Sequence, residues 1–247
     1  SEYKNILKNL ASMYHELGLK EAAVETASEW FQMEDNPEEK IEAGLILLNN
    51  DKTEMVYSSL KNIDLSPVNR EKAHNFLYSL SKKLLDKNPP EGLSLIEQVY
   101  YQYPEYRTPE LRYSLSEAYI KTERTTSARR IIQDWENEVG TSEESVRGLI
   151  DAEIMWGDYM FEMKEWDTAS SAYKTAIQIS QIKGTPLQGV KYPIEWAKYQ
   201  YAKILVEKTN FEEALKILEE IANSNSSISS MAQLKIEQIK LEMLAMK

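Results

Sequence analysis

Residues 156–179, Trp156–Ile179, read WGDYMFEMKEWDTASSAYKTAIQI. Gly157, Ala169 and Ala176 place small side chains where two helices can approach closely. Trp156, Met160, Trp166 and Tyr173 are large, and their spacing lets them interlock around those gaps. The segment therefore predicts a helical hairpin, its first helix ending near Met163 and its second starting near Trp166.

The same reading extends in both directions. Tyr3, Leu7, Leu10, Tyr14 and Leu17 form one helical stripe, and Phe211, Ala214, Leu215, Leu218 and Ile221 form another. Strand-like alternation does not occur in any convincing run. The pattern predicts thirteen helices, at 2–17, 20–34, 37–49, 52–63, 67–86, 90–103, 108–121, 125–138, 142–163, 166–182, 192–208, 211–224 and 228–246. All eight prolines fall between helical patterns or at their first turn, because the ring removes a backbone donor and clashes with the preceding turn. Asn36-Pro37, Ser66-Pro67 and Thr108-Pro109 read as capped helix starts, and Asn210 with Glu213 reads as a capping box.

The helices pair, and the frame of the 156–179 hairpin recurs. The first pair carries Ala11, Tyr14, Gly18, Ala23, Ala27 and Trp30; the fourth carries Leu115, Ser116, Tyr119, Ala128, Ile132 and Trp135. The sixth carries Tyr201, Ala202, Leu205, Phe211, Ala214, Leu218 and Ile221. This placement of small and aromatic residues resembles the tetratricopeptide repeat (TPR) family. The third pair matches less well, and the second departs most, with Met55 and Ser59 where Ala and an aromatic belong. Equivalent positions at 11, 43, 80, 116, 157 and 202 step by 32, 37, 36, 41 and 45 residues, against about 34 for a regular array. The resemblance implies an all-α, right-handed TPR-like superhelix in a single solenoid domain. Its six pairs lie at 2–34, 37–63, 67–103, 108–138, 142–182 and 192–224, followed by a terminal helix at 228–246. A generic helical-hairpin solenoid is the structural alternative.

Composition narrows the function. The 247 residues carry a formal net charge of −11, the opposite of the basic stripe that nucleic acid requires. That balance favours basic or neutral partners, or serves only to keep an extended surface in solution. There is no cysteine, which excludes disulfides, thiolate nucleophiles and Cys-ligated metals. No apolar run approaches the roughly 18 residues of a membrane span. The chain opens on Ser1, which reads as a processed form or a segment of a larger bacterial protein; cytoplasm and periplasm both remain open.

Chemistry finds little footing. His15 and His74 lie in different pairs and match no metal-ligand spacing, and no phosphate-binding loop or nucleophile elbow is present. No cofactor is expected. Paired carboxylates are inevitable among 40 acidic residues, so they do not argue for a hydrolase. The carboxylate clamp of chaperone-binding TPRs is also missing. Lys8 stands at its first place, but Ser12, Ile41, His74 and Tyr78 occupy the others.

The resemblance further implies that certain first-helix side chains face a partner groove. These are Tyr113 and Glu117 in the fourth pair, Ile154, Asp158 and Phe161 in the fifth, and Trp196, Tyr199 and Lys203 in the sixth. From these the expected partner-binding set is Tyr113, Glu117, Asp158, Phe161, Trp196, Tyr199 and Lys203, an aromatic and mostly acidic surface. The expected role is a non-catalytic scaffold or adaptor that binds a protein or peptide. Alternatives are a peptide sensor and a scaffold that self-assembles through 228–246, where Leu234, Leu241 and Leu244 widen the apolar surface. Two further segments read as joints or contact patches: the tyrosine-rich run 99–107 and the long connection 181–193.

Overall fold

The computed structural model of the chain describes residues 2–60, 62–138, 142–181 and 189–245. The described residues form thirteen α-helices and no strand. They are α1 (Glu2–Glu16), α2 (Lys20–Met33), α3 (Pro37–Asn49), α4 (Thr53–Leu60), α5 (Arg70–Lys87), α6 (Pro89–Gln102), α7 (Pro109–Lys121), α8 (Thr125–Glu138), α9 (Glu143–Glu162), α10 (Trp166–Gln181), α11 (Ile194–Glu207), α12 (Phe211–Ala222) and α13 (Ser229–Ala245). A single 3-10 turn covers Pro104–Tyr106. The chain groups into two compact units, Ser1–Thr122 and Glu123–Lys247. The boundary runs between α7 and α8, the two helices of the fourth sequence pair, so each is described with its own unit.

Four of the hairpins turn in the same way. Gly18, Asp51, Lys164 and Thr209 all adopt left-handed backbone, with φ between 59° and 70°. In each, the next residue donates its N–H to the carbonyl five residues back: Leu19 to Tyr14, Lys52 to Leu47, Glu165 to Met160 and Asn210 to Leu205, at 2.8–2.9 Å. This arrangement satisfies carbonyls that the helix end would leave open. Only the first of the four uses glycine; the others carry the steric cost of a Cβ in that conformation.

In the first unit, α1 pairs with α2 and α5 with α6, while α3 packs against both α2 and α5. Ala11, Ala23, Ala27 and Trp30 are all fully buried, as the repeat frame predicts. At Gly92 a Cβ would lie 2.6 Å from the Leu85 backbone nitrogen, so α5 and α6 meet almost backbone to backbone. The α3–α4 hairpin is the loosest. Its second helix has only eight residues and buries only Thr53 and Val56, because Met55 and Ser59 supply no interlocking surface. Helix α5 also starts later than Ser66-Pro67 suggests. Asn69 is the cap, its side chain accepting the N–H groups of Glu71 and Lys72 at 2.9 and 3.3 Å. Asn36 and Thr108 cap α3 and α7 where their sequences place them.

In the second unit the α9–α10 hairpin is the most closely packed. A Cβ on Gly157 would fall 2.7 Å from the Tyr173 ring, which is itself wholly buried. Helices α11, α12 and α13 follow in succession, each packed on the one before, and α8 rests on α9. Asn210 caps α12 and its amide donates to Glu213 at 2.8 Å, closing the predicted box through side chains. Residues 182–188 of the long joint lie outside the described residues.

Candidate functional site

The first-helix face of the second unit begins with how α11 is anchored. Asp151, buried in α9, accepts the backbone N–H groups of Lys191 at 2.9 Å and Tyr192 at 3.4 Å. Burial pushes this carboxyl above its usual range, and the two amides partly offset that. The contact fixes the approach to α11, which then presents Trp196, Tyr199, Gln200 and Lys203 at helical spacings of three, four and seven. Asp158 and Phe161 stand three residues apart on α9.

These side chains form one connected cluster around Asp158. Its Oδ1 accepts the Tyr173 hydroxyl at 2.6 Å and the Gln200 amide at 3.3 Å. Its Oδ2 accepts the Trp196 indole N–H at 3.1 Å. Three helices are thereby tied to one carboxylate. Burial, then the adjacent Asp158 charge, raises the Tyr173 hydroxyl pKa and keeps it protonated as a donor. The Trp196 ring stacks near Tyr199, with centroids 6.1 Å apart. Phe161 meets Trp166 edge to face at 5.0 Å, and the Lys203 ammonium sits 4.4 Å from the Phe161 ring centre. Lys203 also donates to the Gln200 carbonyl oxygen at 3.0 Å. Its pKa is lowered by burial and by the charge of Lys235 on α13, which together outweigh Asp158 and Glu207.

Five of the seven expected residues therefore share one surface: Asp158, Phe161, Trp196, Tyr199 and Lys203, each half-buried. On this surface Asp158 accepts from internal neutral donors, and Lys203 brings a cation beside it. Ile154 is fully buried and serves the core. The other two residues belong to the first unit. Tyr113 is 6% exposed, so its ring is a packing element rather than an open platform. Glu117 pairs with Lys121 at 3.4 Å, which also reaches Asp86 at 2.9 Å. The sequence reads Tyr173 as packing alone and does not single out Gln200 or Lys235. Gln200 lies one turn from Trp196 and was visible by spacing, whereas Lys235 is distant in sequence and left no signal.

The first unit fills its corresponding face differently. Lys8 on α1 contacts Glu42 on α3 at 3.0 Å, and Lys72 on α5 contacts the same Glu42 at 3.4 Å. Glu38, Glu39 and Glu110 extend the series through Lys72, Lys8 and Lys82. His74 is buried among Tyr78, Tyr103 and Tyr106, the last at 4.9 Å, and its Nε2 has no hydrogen-bond partner among the described residues. Tyr78 shares a 2.9 Å hydrogen bond with Ser114. The clamp positions are thus occupied by packed or paired groups. In the tyrosine-rich run, Arg107 lies over Tyr100 at 4.4 Å and Arg70 over Tyr103 at 4.9 Å, which closes the joint after α6.

Among the described residues, no group of three or more His, Asp or Glu side chains is arranged to hold a metal ion. Among them too, no helix is long and apolar enough to cross a membrane.

No protein-family model and no curated protein matches the chain. Solved structures do. The apo form of RapI, a TPR-type protein, aligns over 98% of this chain and 72% of its own, with a TM-score of 0.63 at 13% identity. PilF of Pseudomonas aeruginosa aligns over 95% and 98%, with a TM-score of 0.48 at 12% identity. MamA aligns over 92% and 97%, with a TM-score of 0.43 at 17% identity. The likeness to RapI establishes an all-α fold of the TPR-like helix-hairpin type.

Proposed function

We propose that this chain is a non-catalytic protein-interaction module that holds a peptide segment against the α9–α11 face of its second unit. The observation that carries the reading is the cluster of half-exposed rings, Phe161, Trp196 and Tyr199, in which Trp196 is held by a hydrogen bond without any ligand. Trp196 is pinned by Asp158, and Asp158 by Tyr173. Aromatic side chains already fixed in place contribute contact area with little further loss of freedom, which favours affinity. Helix faces of this kind recognise extended or helical segments through a few anchors. The test is a binding titration of one partner peptide against the wild type and against Trp196→Ala and Tyr199→Ala. A loss of tenfold or more in either variant supports the reading, and unchanged affinity in both removes it.

A second reading concerns self-association. Helix α13 buries Ala232, Ile236 and Ile239, yet exposes Leu234, Leu241 and Leu244 to between 66% and 68%. An apolar strip of that exposure is a contact surface in many helical assemblies. Light scattering at increasing concentration, with Leu234→Glu alongside, separates a monomer from an oligomer built on this helix.

A further inference from the structure

Resting on the peptide-binding reading, we infer that the α9–α11 face selects a peptide carrying an internal acidic side chain, with Lys203 as the group that pairs with its carboxylate. The inference reverses what net charge alone suggests. The protein is acidic, and eight of its lysines are held in ion pairs. Lys4, Lys8, Lys72, Lys82, Lys83, Lys121, Lys198 and Lys208 each lie within ion-pair distance of a carboxylate. Among the described residues Lys203 makes no such pair. Its ammonium carries three donors, of which one reaches the neutral Gln200 amide, and the Phe161 ring covers another side.

The surrounding charges do not complete it. Asp158 on α9 faces the cluster, but its oxygens already accept Tyr173, Trp196 and Gln200. Glu207 lies one turn further along α11 and is exposed. Lys235 on α13 adds a second cation and repels Lys203; its own ammonium is hydrogen-bonded to Gln238 at 3.1 Å. Burial and Lys235 together leave the Lys203 charge under-compensated, as its lowered pKa records. An incoming carboxylate would remove that penalty and add a charge-assisted hydrogen bond. A basic segment would meet Lys203 and Lys235 as like charges.

The rings say where along the segment the acid sits. Trp196 and Tyr199 lie on α11 before Lys203, and the Phe161 ring, packed edge to face on Trp166, lies against its ammonium. Apolar rings next to the ammonium suit a residue inside a chain that has apolar neighbours. The geometry therefore favours an Asp or Glu side chain over a free C-terminal carboxylate.

A random dodecamer library displayed on phage, with each peptide's C-terminus fused to the coat protein, tests this directly. Selected peptides are then synthesised as amides and titrated while the Trp196 indole N–H resonance is followed. The expected winners carry Asp or Glu between apolar residues. Their affinity should fall at least tenfold in Lys203→Met, persist in Lys203→Arg, and give way to Lys- or Arg-containing winners when Lys203→Glu is the bait. Thermal unfolding of each variant verifies that the fold is intact, and Lys203→Gln replaces Lys203→Met if the latter does not fold. Winners that are neutral or basic yet still shift Trp196 overturn the inference and leave the peptide-binding reading standing. If no winner shifts Trp196, the reading falls and the inference falls with it.

Discussion

In residues 1–122 the charged side chains of α1, α3 and α5 neutralise one another across the helices, with Glu42 between Lys8 and Lys72. In residues 123–247 the same class of helix face is organised around one carboxylate, Asp158, whose donors are a phenol, an indole and an amide. The hairpin turns are alike in both units, so backbone geometry does not create the difference. Side-chain chemistry does. Exposed ion pairs hold a surface in place loosely and satisfy its charge, leaving little to offer a partner. A half-buried carboxylate with neutral donors fixes the Trp196 ring without hiding it, and among the described residues Lys203 makes no ion pair.

The contrast can be broken most severely at Tyr173. Replacing this fully buried ring, Tyr173→Ala, should destabilise the protein by about 4 kcal/mol through cavity formation. Chemical denaturation followed by tryptophan fluorescence measures it, since Trp135, Trp156, Trp166 and Trp196 report on the second unit and only Trp30 on the first. Asp158→Asn keeps the shape but removes the charge from three hydrogen bonds, and should cost about 2 kcal/mol. The same change should displace the Trp196 indole resonance while leaving the first unit's spectrum unmoved.

A buried acid sharpens the comparison through pH. Glu153 on α9 is fully buried; its Oε1 takes a 2.7 Å hydrogen bond from Arg129, which also contacts Glu136 at 2.8 Å, and its Oε2 has no hydrogen-bond partner among the described residues. Burial, reinforced by Glu136, pushes its pKa up to about 8 against the opposing Arg129. The folded protein therefore holds a proton that the unfolded chain releases near 4.5. Its contribution is fully present below that value and is lost as pH rises to about 8. Glu153→Gln cannot ionise, so its stability relative to wild type should climb by more than about 1 kcal/mol between pH 5 and pH 8. Urea midpoints at those two pH values decide the matter; a constant difference would contradict it.

Smaller effects distinguish backbone from surface. Thr209→Gly should stabilise the second unit by about 1 kcal/mol and Gly18→Ala should destabilise the first by about the same, because both residues hold the left-handed position of one turn type. Glu42→Gln should cost only about 0.5 kcal/mol, and the loss should shrink further in 1 M salt. A cost above 2 kcal/mol would mean that the ion-pair series is structural after all.

The hairpins were legible because their packing is local. Gly157 and Tyr173 are sixteen residues apart, and the small-against-large rule applies within that window. Helix starts were legible where a cap directly precedes proline, as at Asn36 and Thr108, and misplaced at Ser66, where Asn69 supplies the cap. The face of the second unit was legible as a set of positions, since helical spacing decides which side chains share a side. Its electrostatics were not. Whether Asp158 is free or spent depends on Tyr173 and on Trp196, 38 residues away, and helical spacing within one element carries no information about partners on other helices. The burial of Tyr113 was hidden for the same reason.

The central claim is that ligand contact belongs to the α9–α11 face and spares the paired face of the first unit. Amide and indole chemical-shift mapping with a peptide selected from the dodecamer library tests it most directly. The account predicts shifts at Trp196, Tyr199, Lys203 and Phe161, with the resonances of Lys8, Glu42 and Lys72 unmoved. Shifts confined to α1, α3 and α5, with Trp196 unchanged at saturation, would contradict it.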